Sequence, residues 1–255
     1  MKRIISFVIL SFFLSVTANA EIKELTIATD DWPPYEFKVG DPGNEYISGF
    51  STEVIQAVLK KMNIGIKGKI LQYPWARAEK MVIDGEADMI FTAATSEKRA
   101  QITHYPTESL MESSWSFFIR KEDEAKLKYD TFDDLKGKKI GVVRAYSYTP
   151  ELWAFMEKEK NFDEVVNDEL NVKKLLAKRI DFIAMDFGNG MALLKKMELA
   201  DKVIVLKNPI KVASLYAIFS QKTIDKDFVD KFSAELKSLK ATPEYKAIYD
   251  KYFGK

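Results

Sequence analysis

The stretch Asp84-Gly85-Glu86-Ala87-Asp88-Met89-Ile90-Phe91-Thr92-Ala93-Ala94-Thr95-Ser96-Glu97-Lys98-Arg99 decides how this chain is read. Gly85 suits a helix end, and Met89 to Phe91 is a short apolar run with strand character. Thr92 to Ser96 carries no long side chain, so the backbone there is open to a small molecule. At a strand end, its free N–H groups and the positive end of a following helix would face an anion. Arg99, on the next turn, adds a planar fork that can hold a carboxylate through two hydrogen bonds. The alternative is a plain strand-to-helix connection with a solvated arginine. The stretch alone leaves both open.

Upstream, Glu24 to Thr29 reads as a strand and Ser51 as the cap of a helix running to Met62. Gly65 to Tyr73 reads as a strand, Pro74 to Gly85 as a helix and Ala87 to Phe91 as a strand. This β-α-β-α-β order predicts a parallel sheet covered by helices. Between the first strand and helix, Asp30-Asp31-Trp32-Pro33-Pro34-Tyr35-Glu36-Phe37 is a stiff kink. Its aromatics serve either as a staple to the core or as a wall for a ligand. Gly40 to Gly49 reads as a hairpin or surface excursion.

Downstream, Ser114 to Ile119 is almost wholly apolar and reads as a buried strand crossing between two halves. A second α/β series follows. It has a short helix at Phe132 to Leu135, strands at Lys139 to Val143, Glu164 to Val166, Phe182 to Met185 and Val203 to Leu206, and helices starting at Thr149, Val172 and Met191. Lys211 to Ser220 is a longer strand, and two amphipathic helices, 225–240 and 243–252, end the chain.

The N-terminus sets the compartment. Met1-Lys2-Arg3, the apolar run Ile4 to Val16 and Ala18-Asn19-Ala20 form a secretory signal, so residues 1–20 are expected to be removed and the mature chain to be periplasmic. The 255 residues carry 39 basic and 38 acidic side chains, and loss of Lys2 and Arg3 leaves a net charge near −1. That balance gives no footing for nucleic acid. There is no cysteine, and His104 is the single histidine, which removes thiol chemistry and histidine-rich metal sites; no cofactor or metal is expected.

In order and spacing, the motifs resemble the extracellular solute-binding proteins of the polar amino-acid type, the receptors of ABC importers. Those motifs are Trp32-Pro33-Pro34-Tyr35, Gly49-Phe50-Ser51, Gly85-Glu86-Ala87-Asp88, Ser96-Glu97-Lys98-Arg99, Asp134-Leu135-Lys136-Gly137-Lys138-Lys139-Ile140-Gly141-Val142 and Ile180-Asp181-Phe182-Ile183-Ala184-Met185-Asp186. The resemblance implies an α/β, two-lobed periplasmic-binding-protein-like fold with two β crossovers and a discontinuous first lobe. Lobe I would comprise 21–115 and 208–255, and lobe II 116–207. It implies Arg99 as carboxylate partner, Asp186 as ammonium partner, Trp32 and Tyr35 as an aromatic wall, and Ser147 as a hydroxyl contact from lobe II. Trp75, Thr92, Thr95 and Tyr146 complete the candidate ligand-binding set, with Arg77 and Arg144 as additional cations. The span from Asp88 to Arg99 is one residue shorter than the family pattern, and Ala145 stands where the family has glycine.

The implied function is capture of a small zwitterionic or anionic solute, an amino acid first, for a membrane permease, by a monomer. Two alternatives are a same-fold enzyme such as a cyclohexadienyl dehydratase, for which no dedicated acid stands out and Glu36, Glu108 and His104 stay open, and a sensor partner presenting ligand to a membrane receptor.

Overall fold

The computed structural model describes residues 22–253; the expected signal peptide lies outside them. Its main sheet follows the order Phe162–Val165, Ile140–Val143, Phe182–Asp186, Met111–Arg120, Val203–Ser220, Met89–Ala94, Ile27–Thr29, Leu71–Gln72. The two flanks are parallel. The centre is an antiparallel ribbon of the two longest strands, from Val203 opposite Arg120 to Leu215 opposite Met111. One edge of this ribbon pairs with Met89–Ala94, and the other with Phe182–Asp186. The ribbon therefore joins two α/β lobes as a pair of crossovers, and the second crossover returns the chain to the first lobe.

The opening stretch folds for identifiable reasons. The helix Trp75–Asp84 stops at Gly85, whose φ of 81° places it in the left-handed region, with its N–H on the Val82 and Met81 carbonyls. Asp88 accepts the Thr26 backbone N–H at 2.7 Å, which ties the next strand to its neighbour. Met89–Ala94 is then buried along its whole length, as expected of a parallel-sheet interior. Ser96 caps a single helical turn, Glu97–Ala100, that turns Arg99 inward.

Several boundaries differ from the sequence reading. The helix expected from Ser51 begins at Phe50, because Gly49 at φ 125° makes the turn; a Cβ there would lie 2.3 Å from the Tyr35 carbonyl oxygen. Gly65 to Tyr73 is two short strands, Gly65–Ile66 and Leu71–Gln72, split by a turn at Gly68 with φ 69°. The strands expected at 203–206 and 211–220 are one strand of 18 residues, which absorbs Pro209 as a register shift. The helix expected from Val172 begins at Asp168 under an Asn167 cap, and the one expected from Met191 begins at Phe187 under an Asp186 cap.

Candidate functional site

The parallel strands of both lobes end against a common cleft, where the lobes meet through polar contacts. Its inner part is a cavity bordered by Asp30, Trp32, Trp75, Thr92, Arg99 and Tyr146, with Ala94, Trp115 and Ser147 completing the wall. Its free volume is only about 20 Å³. That is room for about one water molecule, so any larger solute must enter with the lobes moved apart. Two larger spaces adjoin it. One, of about 220 Å³, meets the cavity at Asp30, Trp75 and Tyr146. The other, of about 980 Å³, meets it at Arg99, Tyr146 and Ser147. Asp30 and Arg99 thus border different adjoining spaces, and Trp75 lies beside both.

Arg99 is 5% exposed. Its Nε donates to Glu79 Oε1 at 2.5 Å and its Nη1 to the Ala94 carbonyl at 2.8 Å, while the guanidinium carbon lies 5.3 Å from the Trp75 ring centre. None of the hydrogen bonds found among the described residues uses Nη2. A buried arginine fixed on one edge and bordering a cavity with the other is preorganised for an anion. The indole N–H groups of Trp75 and Trp115 are buried and unpartnered, and both rings border the same cavity. Lys211 stacks on Trp115, its Nζ 4.5 Å from the ring centre, and donates to the Ser147 carbonyl. Burial first, and then Arg99, lower its pKa to about 8.

The side of the cavity at Asp30 is acidic. Asp30 accepts Tyr146 Oη at 3.2 Å, and Glu36 accepts Thr92 Oγ1 at 2.6 Å. The two carboxyls also act on each other's titration. Burial, eased by the contacts from Glu36 and Tyr146, pushes Asp30 up to about 7. Burial and the charge of Asp30 hold Glu36 well above the usual carboxylate range. Asp168 sits behind Trp32, whose Nε1 donates to it at 3.3 Å, and burial raises it to about 8.

The remaining sequence candidates fall as follows. Trp32 borders the cavity, its ring centre 4.7 Å from that of Tyr35 and 5.9 Å from that of Tyr146. Tyr35 is fully buried on the hinge side of Trp32 and does not border the cavity. Thr92, at φ 65°, borders the inner cavity, whereas Thr95 borders the outer cleft and gives its carbonyl to Ser147 Oγ at 2.9 Å. Arg77 stacks over Tyr73 at 4.0 Å, and Arg144 is exposed; neither borders the cavity. Asp186 does not border it either. It caps the helix Phe187–Lys196 through the Asn189 N–H and accepts Tyr35 Oη at 2.8 Å and Ser113 Oγ at 2.5 Å.

Sequence reasoning passed over Asp30, Trp115 and Lys211 as site residues. Asp30 had a legible signal, an acid at a strand end directly before the aromatic kink. Trp115 was hidden inside an apolar run that reads as core.

Fold and cleft together define a two-lobed receptor for a small polar molecule. The chain matches "Bacterial extracellular solute-binding proteins, family 3" over residues 25–255, and it belongs to that family. It is similar to the arginine-binding periplasmic protein of Mannheimia haemolytica, at 24% identity over 96% of this chain and 98% of that one. It is also similar to the L-cystine-binding protein TcyJ of Escherichia coli (strain K12), at 27% identity over 65% of this chain and 59% of that protein's length. Among solved structures it resembles a histidine kinase sensor domain with similarity to periplasmic binding proteins, with a TM-score of 0.77 at 22% identity, covering 90% and 96% of the two chains. The family and its named relatives are binding proteins, and nothing among them indicates a dehydratase.

Proposed function

We propose that this chain is a periplasmic receptor that closes its lobes on an amino-acid-like zwitterion and delivers it to an ABC importer. The lobes are divided at 115/116 and 207/208. The observation that carries this reading is that one cavity is bordered by both a buried arginine, Arg99, and a buried carboxyl, Asp30. A zwitterion bridges the two groups, and only the closed form satisfies both, so binding favours closure by differential contact. The relatives that bind cystine and arginine support a ligand of this size and polarity.

The test is a thermal-shift screen of amino acids, dicarboxylates and small amines, followed by solution scattering with the strongest hit. Zwitterions should raise the melting temperature and reduce the radius of gyration. A hit list of simple amines or dicarboxylates alone would overturn the reading.

A further inference from the structure

We infer that Tyr146 sets the size of solute that the closed site accepts: its ring is a movable partition between the inner cavity and the two spaces beside it. This rests on the reading above, that a zwitterion is held in this cavity, and adds what limits its bulk.

Three spaces meet at one side chain. Asp30 and Trp75 border both the inner cavity and the space of about 220 Å³, while Arg99 and Ser147 border both the inner cavity and the space of about 980 Å³. Among the described residues, Tyr146 borders all three. The inner cavity has about 20 Å³ free, so an amino acid fits the closed form only if a wall yields. Most of the walls are built to stay. Thr92 and Ala94 lie on a strand buried along its whole length, and Trp115 sits on a strand paired on both sides. Arg99 is held by Glu79 and the Ala94 carbonyl.

Tyr146 stands instead on a short loop, between the strand Ile140–Val143 and the helix Pro150–Glu159. The base of the loop is fixed by buried Tyr148, whose hydroxyl takes the Val143 N–H at 2.9 Å and donates to the Ala184 carbonyl at 3.3 Å. The tip is held less firmly. Ala145 stands at φ 64°, a conformation that a residue with a Cβ adopts at a cost. The Tyr146 ring meets Trp32 and Trp75 edge to face, with centres 5.9 Å and 6.2 Å away. Its hydroxyl donates to Asp30 Oδ2 at 3.2 Å, long for an O–H donor, and Oδ1 of the same carboxyl is buried without a partner. A polar group of the solute can therefore take over the contact with Asp30 and release the phenol. The displaced ring has room in either of the larger spaces, both of which it already borders.

Calorimetry on the mature protein with a size series of zwitterions tests this: alanine, leucine, phenylalanine, arginine, tryptophan and glycyl-phenylalanine, against the unmodified protein, Tyr146→Ala and Tyr146→Phe. Each affinity is taken relative to the smallest member that binds. In Tyr146→Ala, the relative affinity of the larger members should rise at least about tenfold, or members that the unmodified protein ignores should begin to bind. In Tyr146→Phe, which keeps the ring and removes the bond to Asp30, affinities should fall together and the ratios stay within about threefold. Unchanged ratios and an unchanged set of binders in Tyr146→Ala overturn the inference and leave the zwitterion reading standing. Ratios that shift as far in Tyr146→Phe as in Tyr146→Ala place the effect in the hydroxyl and also overturn it. Silence from every member with the unmodified protein up to about 10 mM sinks both. Circular dichroism checks folding; if Tyr146→Ala does not fold, Tyr146→Leu, which keeps an apolar contact for Trp32 and Trp75, is read in its place.

Discussion

The hydroxyl of Tyr35 lies 2.8 Å from Asp186 Oδ1, joining residues 151 positions apart and tying the aromatic kink of one lobe to a helix cap of the other. Ser113, on the first crossover strand, approaches both, at 2.8 Å from Tyr35 Oη and 2.5 Å from Asp186 Oδ2. Asn189 adds a second tie, from its side-chain amide to the Pro33 carbonyl at 2.8 Å. None of Tyr35, Ser113, Asp186, Asn189 and Pro33 borders the inner cavity, so these ties join the lobes away from it.

Tyr35→Phe keeps the buried ring and removes one donor from a buried carboxylate. The loss should cost about 1–3 kcal/mol of stability, the usual penalty for leaving a buried acceptor short of a partner. Denaturant unfolding checks this. A change below about 0.5 kcal/mol would mean that water replaces the hydroxyl and that the tie carries little.

Stability should fall as pH rises from 5 to 8. Burial raises Asp186 to about 6, Asp30 to about 7 and Asp168 to about 8, and holds Glu36 well above its ordinary range. In the unfolded chain, carboxylates titrate near 4. The folded state therefore takes up protons, and the associated stability is fully present below the unfolded pKa and lost as pH passes through the folded values. The slope is about 1.4 kcal/mol per pH unit for each proton taken up. Lys211, lowered to about 8, works in the opposite direction above that pH, so the window closes there. Calorimetric melting temperatures across the range should decline. A flat or rising profile contradicts the burial of these acids.

The same acids predict the pH dependence of binding. A ligand ammonium held by Asp30 needs that carboxyl ionised, so affinity for a zwitterion should increase between pH 6 and 8, and binding near pH 7 should release a proton. Titrations in two buffers of different ionisation enthalpy would measure that release directly. Identical apparent enthalpies in both buffers would show that the acid pair keeps its proton.

Much of this fold was legible because apolar periodicity and the punctuation of Gly and Pro agree with it. Gly85 ends its helix in the left-handed region that only glycine adopts cheaply, as its sequence position suggested. Ala145 shows the converse: it is no glycine and still holds φ 64°, so the backbone keeps a glycine-like turn at some strain. Where the reading failed, the cause was tertiary. Lys207, Asn208 and Pro209 look like a break between strands, yet the chain stays extended because Met111–Arg120 pairs with it on both sides of the proline. The site was harder to see, because residue type does not reveal commitment. Nothing in the sequence shows that the oxygens of Asp186 are taken by Tyr35, Ser113 and Asn189, or that Arg77 spends its guanidinium on Tyr73.

Glu79→Gln probes what holds Arg99 in position. The carboxylate meets Arg99 Nε at 2.5 Å and is 15% exposed in its side chain, so the pair is largely out of water. The neutral amide still accepts a hydrogen bond but gives up the charge, and the guanidinium should lose orientation. Ligand affinity should fall about three- to thirtyfold, in line with one charge-assisted hydrogen bond reduced to a neutral one. Calorimetry with the best ligand measures it. Tighter binding would mean instead that Glu79 competes with the ligand carboxylate for the same guanidinium.

Arg99→Ala is the most direct test of the site. The side chain is buried, borders the cavity, and is held by Glu79 and Ala94 along one edge while Nη2 stays uncommitted. Truncation removes the charge proposed to face the ligand carboxylate and should cost about 2–5 kcal/mol of binding, or roughly thirty- to several-thousandfold in affinity. It also leaves Glu79 without its partner, so some stability is lost, and melting temperature must be read alongside affinity. Arg99→Lys should recover only part of the binding, since an ammonium cannot span Glu79, Ala94 and a ligand carboxylate as the planar fork does. Arg77→Ala is the matched control, because that guanidinium lies 4.0 Å over Tyr73 and away from the cavity wall. Its affinity should stay within about threefold of the unmodified protein. Intact binding in Arg99→Ala together with lost binding in Arg77→Ala would reverse the assignment and place the carboxylate at Arg77, on the Asp30 side of the cleft.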